Sequence, residues 1–188
     1  MSVLRVIIGL LLWGLIPCSF GQAQHSIPAD SAAIEMRYLL KSLNYDRNYK
    51  TRSAASLNIL IVHEQSNPDK LANNLLLAAT SELIRKDIRV TATRFKSIGA
   101  LLRLVKNKQI TLIYIDPSAL KKLSSILQVT RGLKIPSFTR GRRLVKAGVS
   151  VGVYRDRGKT QLVINRKAAK IEGLYFDSSL LAIATLIR

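Results

Sequence analysis

Leu57-Asn58-Ile59-Leu60-Ile61-Val62 is a short run rich in β-branched residues, and it suits a buried strand. The unit that follows it repeats. Asn67-Pro68-Asp69 supplies an N-cap, a proline at the first helical position and an acid in the first turn. Leu71, Leu75, Leu76, Ala79 and Leu83 then form an apolar stripe, which predicts a helix to about Arg85. Residues 88–93 alternate as a strand does, and Ser97 opens a helix through Ile98, Leu101, Leu102, Leu104 and Val105. Residues 110–115 are a third strand. Asp116-Pro117 repeats the cap-and-proline start, leading into a helix through Leu120, Leu123, Ile126 and Leu127. Strands alternating with helices of this length predict βαβ units, and so an α/β, three-layer fold with a mostly parallel sheet and helices on both faces.

Upstream, Met36, Leu39, Leu40 and Leu43 fall at helical spacing in a segment that Asp30 or Ser31 can cap, and a polar connector, residues 48–56, leads to the first strand. Downstream, residues 133–138 suit a fourth parallel strand near an edge, since Pro136 cannot donate to a ladder. Residues 149–154 and 160–164 flank the turn 155–159 and predict a C-terminal antiparallel hairpin. One or two helical turns are expected over 165–171. Asp177 or Ser178 caps a last helix, residues 180–187, apolar enough to dock on the body.

The start of the chain has a different character. Arg5 is its only charge before a run of apolar residues that Pro17 terminates, too short for a membrane span and typical of a cleavable leader. Cleavage sites of the small-x-small kind end at Gly21 and Ala23, so residues 1–23 are expected to be removed and 24–188 to fold as a single domain. Cys18, the lone cysteine, falls in the leader. Pro17 before it is unsuited to a lipoprotein acceptor site, which disfavours lipidation. The mature domain is then cysteine-free, which excludes disulfides and thiolate-bound zinc; no metal and no cofactor are expected. A periplasmic location follows from the leader.

The chain has 188 residues, 30 Lys and Arg against 11 Asp and Glu, and a net charge of +19; losing the leader removes only Arg5 and leaves +18. At 48% apolar residues it is too hydrophobic to be a charge-driven disordered polypeptide. In an exported protein with 6% aromatic residues, such charge argues against nucleic acid and for an acidic protein partner or an anionic lipid surface. Basic residues are densest between Arg131 and Lys170, where Asp156 is the only acid. Arg140-Gly141-Arg142-Arg143 is expected in a loop, and Arg155, Arg157 and Lys159 form a cationic hairpin tip. If folding gathers them, they make an electrostatic docking surface; dispersed, they confer solubility.

Other residues invite chemistry more weakly. His63 follows the first strand and Asp116 the third, at the carboxyl edge where open α/β sheets bind ligands. Alternatively Asp116 simply caps a helix and His63 is an exposed loop residue. No nucleophile, base and orienting group are spaced for catalysis, there is no Gly-x-Ser-x-Gly, Gly-x-Gly-x-x-Gly or paired-His pattern, and an enzyme is not expected. Tyr45-Asp46-Arg47-Asn48 ends the first helix, either as part of a partner surface or to fix the chain's exit, with Asn48 left-handed and Asp46 pairing Arg47 or backbone amides. Asn165, Ala168, Ala169 and Gly173 are expected to serve packing, Asn165 by satisfying backbone groups.

Two stretches carry a resemblance. Residues 39–48, Leu39-Leu40-Lys41-Ser42-Leu43-Asn44-Tyr45-Asp46-Arg47-Asn48, resemble a pattern in the YfiR-like family of exported bacterial proteins. The C-terminal region from Gly148-Val149-Ser150-Val151-Gly152 through Ile164-Asn165 and Gly173 to Ser178-Ser179-Leu180-Leu181 is similar to that family's closing signature. The resemblance implies a non-enzymatic, dimeric regulatory protein that represses a membrane-bound signalling protein, such as a diguanylate cyclase, by periplasmic contact. A periplasmic small-solute-binding or accessory protein is the alternative. Redox control through cysteines is not carried over, because the mature chain has none.

Overall fold

The computed structural model describes residues 29–49, 56–64, 69–79 and 87–187. The expected leader and its cleavage sites, the Asn67-Pro68 cap and the end of the helix near Arg85 lie outside these residues. The first strand, β1 (Ser56–His63), is central. Its alternate side chains feed two cores: Leu57, Ile59 and Ile61 enter one, Leu60 and Val62 the other. That division explains the continuous apolar run, because a strand covered by helices on both faces has no solvent side.

The sheet has seven strands in the order β2-β1-β3-β4-β5-β6-β7. β2 (Asp87–Arg94), β1, β3 (Leu112–Ile115), β4 (Ser137–Arg140) and β5 (Val151–Asp156) are mutually parallel, and β5 pairs antiparallel with β6 (Lys159–Asn165). One face packs on α1 (Ala29–Ser42) and α2 (Asp69–Ala79); the other packs on α3 (Ile98–Asn107) and α4 (Leu123–Leu133). The expected three-layer α/β fold with a C-terminal hairpin is present.

Several elements differ from the sequence reading. α1 starts at Ala29, so Asp30 and Ser31 lie within it rather than before it. β4 is internal, not near an edge: it begins after Pro136, and that proline takes part only through its carbonyl, which accepts from Ile113 N at 2.9 Å. Arg140-Gly141-Arg142-Arg143 is not a loop. Arg140 ends β4, Gly141 turns the chain at φ 105°, and α5 (Arg142–Lys146) begins at once. Downstream of α6 (Arg166–Ile171), the last expected helix is cut short: α7 (Ser178–Ile183) stops before a seventh strand, β7 (Thr185–Ile187), parallel to β6.

A buried carboxyl links these elements. Glu172, fully buried just after α6, accepts from Thr130 Oγ1 on α4 (2.6 Å), from Ser137 N on β4 (2.7 Å), from Ser137 Oγ, and from Ser150 Oγ before β5. Burial raises its pKa above the usual glutamate range, and the hydrogen bonds from Ser150, Thr130 and Ser137 oppose that rise. The carboxyl thus satisfies donors at the amino ends of β4 and β5, the edge opposite the one described next.

Candidate functional site: a cationic carboxyl edge

The five mutually parallel strands, β1 to β5, end at the same edge, so residues far apart in sequence are brought together there. β4 ends at Arg140, whose Cα pairs with Val153 of β5, and Arg155 follows two positions on. Phe138, Val151 and Val153 face the core under α1, and the two-residue period puts Arg140 and Arg155 on that same face. Beneath them is Glu35 of α1, only 2% exposed, with Oε2 3.8 Å from Arg140 Nε and making no hydrogen bond. Burial raises the Glu35 pKa, while Arg140 and Arg155 pull it down. Burial likewise pushes the Tyr114 hydroxyl well above its ordinary value, against Arg140 and reinforced by Asp116 and Glu35.

The hairpin extends the cationic surface outward. Arg157 and Gly158 both adopt positive φ, 46° and 80°, between the paired Asp156 and Lys159, as a tight two-residue hairpin turn requires. Arg155 donates from Nη2 to Gly158 O at 3.2 Å and lies across that turn. Arg142, at the start of α5, stacks its guanidinium 5.8 Å from the centroid of the Tyr154 ring. Arg143 is exposed beside it on α5, with no side-chain hydrogen bond or ion pair among the described residues. Arg142, Arg155, Arg157 and Lys159 are all exposed, with Asp156 the only acid in the hairpin.

His63 and Asp116 lie on this edge too, with the Asp116 carboxyl already engaged. Asp116 Oδ1 accepts from Ser118 N at 2.9 Å and Ser118 Oγ at 2.5 Å, capping the 3₁₀ turn Pro117–Lys122, and Ser118 Oγ in turn accepts from Glu64 N. His63 is buried at the end of β1, not an exposed loop residue. No group of three or more His, Cys, Asp and Glu among the described residues is placed to hold a metal ion.

The Tyr45-Asp46-Arg47-Asn48 group joins the C-terminal segment. Asp46 Oδ1 accepts from Tyr175 N and from Asn48 N, Asn48 Nδ2 donates to Gly173 O, and Arg47 Nε donates to Asp177 Oδ1 at 2.8 Å. Asn48 is not left-handed, and Asp46 takes backbone amides while Arg47 pairs Asp177 instead. Asn165 lies elsewhere: it caps α6 through Ala168 N and donates to Val145 O. Glu35 and Glu172 escaped the sequence reading, since an acid on an amphipathic helix or after a short one reads as solvated until its distant partners are known.

Three solved structures share the fold at low identity. One, from Streptococcus pneumonia, is the ABC domain in complex with L-Trp: 14% identity, 83% of this chain, 62% of that one, TM-score 0.59. A conserved domain protein from Vibrio cholerae matches at 16% identity over 86% of this chain and 60% of that one, TM-score 0.58. The open, ligand-free form of CD0873 from Clostridium difficile, a substrate binding protein with adhesive properties, matches at 10% identity, 80% and 59% coverage, TM-score 0.55. This chain therefore spans about three fifths of each of those chains. No curated protein matches in sequence. Among the described residues no helix is long and apolar enough to cross a membrane. A family model matches residues 32–185, which include both the Asp46 staple and the Glu172 network, and the chain belongs to the YfiR/HmsC-like family.

Proposed function

We propose that the chain is an exported, non-enzymatic regulatory protein that docks on an acidic periplasmic surface of a membrane signalling protein, such as a diguanylate cyclase, through the cationic edge of its sheet. Family membership supports a periplasmic regulatory role in general. The observation that carries the finer reading is the convergence of Arg142, Arg155, Arg157 and Lys159 at one edge, because the register of β4, β5 and β6 brings the end of β4 alongside the hairpin. Clustered exposed cations steer encounter with an acidic partner and make it salt-dependent. Arg140 is held back from this surface by Glu35 and acts as its underside.

The test is crosslinked recovery of partners from native envelopes with Arg142, Arg155 and Arg157 changed to Glu. Association at low salt is expected to slow by about tenfold or more, with the far-UV spectrum retained and the melting temperature not lowered. Unchanged recovery with unchanged salt sensitivity would exclude the docking edge. A solute site at His63 and Asp116 has less support, because the Asp116 carboxyl is already bound within its own turn. Capture on anionic liposomes without any protein partner would favour the lipid surface instead.

A further inference from the structure

A second site lies at the amino edge of the sheet, on its β2 side. A cavity of about 360 Å³ opens where the carboxyl end of α3 meets β1 and β2. Its size is at the lower end of small-molecule sites. The two-residue period places Asn58 on the face of β1 that carries Leu60 and Val62, which share a core with Leu101 and Val105 of α3. Register pairs Asn58 with Arg89 and Leu60 with Thr91, so both β2 residues lie on that face. Asn58 is only 7% exposed. Its Nδ2 donates to Gln109 O at 3.1 Å and ties the end of α3 to β1, while its Oδ1 makes no hydrogen bond among the described residues. Half of the amide therefore serves the fold, and the other half is unused at a cost in stability. Gln109 takes the left-handed position that ends α3, φ 49°, where glycine is usual, and so keeps a second side-chain amide at the cavity wall. The rim carries two exposed cations: Arg89, which pairs Asp87 at 3.2 Å, and Lys108, which makes no ion pair among the described residues.

We infer that this cavity binds a small polyhydroxy acid, a molecule with one carboxylate and several hydroxyls. With Asp87 beside Arg89, the rim holds a single surplus positive charge, which matches a carboxylate and not a dianionic phosphate. The carboxyl end of α3 turns the negative pole of its dipole to the same space, which further disfavours a second negative charge and favours hydroxyl donors. Asn58, Thr91 and Gln109 supply the acceptors and donors that hydroxyls need. Asn58 Oδ1 lies just beneath the cavity surface, and a slight turn of its side chain presents it to a ligand hydroxyl. Ile110 is the one apolar residue of the lining, so an alkyl body finds no floor here. The site stands independently of the docking edge, which is at the other end of the strands.

Calorimetric titration of the protein with gluconate, sorbitol, hexanoate and inorganic phosphate tests this. The first three share one chain length; sorbitol lacks the carboxylate and hexanoate the hydroxyls. Gluconate is expected to bind saturably at one site, with the other three weaker by about tenfold or more, the worth of one charge-assisted hydrogen bond. Arg89→Ala with Lys108→Ala is expected to weaken gluconate by a similar factor, leaving the ligand-free melting temperature in place because both side chains are exposed and an exposed ion pair contributes little. Lys121→Ala with Lys134→Ala removes the same charge from other elements, and gluconate binding is expected to survive it. Sorbitol, hexanoate or phosphate binding as tightly as gluconate, the Arg89 and Lys108 double variant binding gluconate unchanged, equal losses in the two double variants, or no saturable gluconate binding each overturns the inference.

Discussion

Glu172 shows what a single buried carboxyl does in this fold. Removing it with Glu172→Ala leaves Ser137 N without an acceptor in a dry interior and opens a void, an expected loss of about 2–4 kcal/mol in unfolding free energy. Glu172→Gln is a finer probe. Its carbonyl oxygen can take the Ser137 N and Ser150 hydroxyl donors, and its amide can donate to Thr130 Oγ1, whose hydroxyl then points to Leu127 O at 3.1 Å. Because burial holds the folded-state pKa above that of the unfolded chain, the wild-type carboxyl favours folding fully below the ordinary glutamate value of 4.5. As pH rises past that value the unfolded chain ionises first and the contribution falls, until the folded carboxyl ionises too. Glutamine has no such dependence. The stability of Glu172→Gln relative to wild type, measured by urea unfolding, should therefore increase from pH 4.5 upward; a difference constant with pH would mean that Glu172 ionises normally in the folded protein.

At the scale of elements, the closest approach is that of α5 to β5. Gly152 has no room for a side chain: an added Cβ would lie 2.4 Å from Val145 Cγ2, with Thr139 Cγ2 and Val163 Cγ1 each at 3.3 Å. Gly152→Ala must push α5 off the sheet or spread β4 from β6, and overpacking of this kind costs about 1–3 kcal/mol. Thermal unfolding is the measurement, and Val145→Ala in the same background should restore part of the loss by vacating the clashing methyl. An unchanged melting temperature for Gly152→Ala would show that α5 is loosely seated. The βαβ core was legible because Leu57, Ile59 and Ile61 against Leu60 and Val62 is a local pattern, repeated with cap-and-proline signals that need no distant partner. β7 was not legible. Thr185-Leu186-Ile187 is three residues long, directly follows α7, and is a strand only because β6 offers it a ladder. The internal place of β4 was hidden for a related reason: proline is penalised in a strand for its missing donor, whereas Pro136 sits one residue before the strand and needs only its carbonyl. The carboxyl-edge cluster was half legible, since the sequence showed the density of Arg and Lys but not that Glu35, about 100 residues earlier, would hold Arg140 beneath it.

For the whole molecule, a net charge of +19 is a destabilising load unless something draws it down, and its distribution decides how. The described acids are largely spent locally: Asp177 on Arg47, Asp87 on Arg89, Asp116 on Ser118, and Glu172 within its own network. The hairpin tip and the start of α5 set Arg142, Arg155, Arg157 and Lys159 against Asp156 and, beneath Arg155, the buried Glu35. Self-repulsion there is screened by salt over a Debye length of about 10 Å at 0.1 M, comparable to the spacing of side chains on one sheet edge. Raising sodium chloride from about 0.02 M to about 0.2 M is therefore expected to raise the melting temperature by a few degrees, because 1 kcal/mol corresponds to about 2–4 °C in domains of this size. Changing Arg142, Arg155 and Arg157 to Gln should raise the low-salt melting temperature and shrink that salt increment, while weakening partner recovery. Changing Lys108, Lys121 and Lys134 to Gln removes the same charge from other elements and should do less of both. Equal effects from the two triple variants would mean that the charge acts only in sum; a larger effect at the edge means that stability is held down at the very surface proposed to dock.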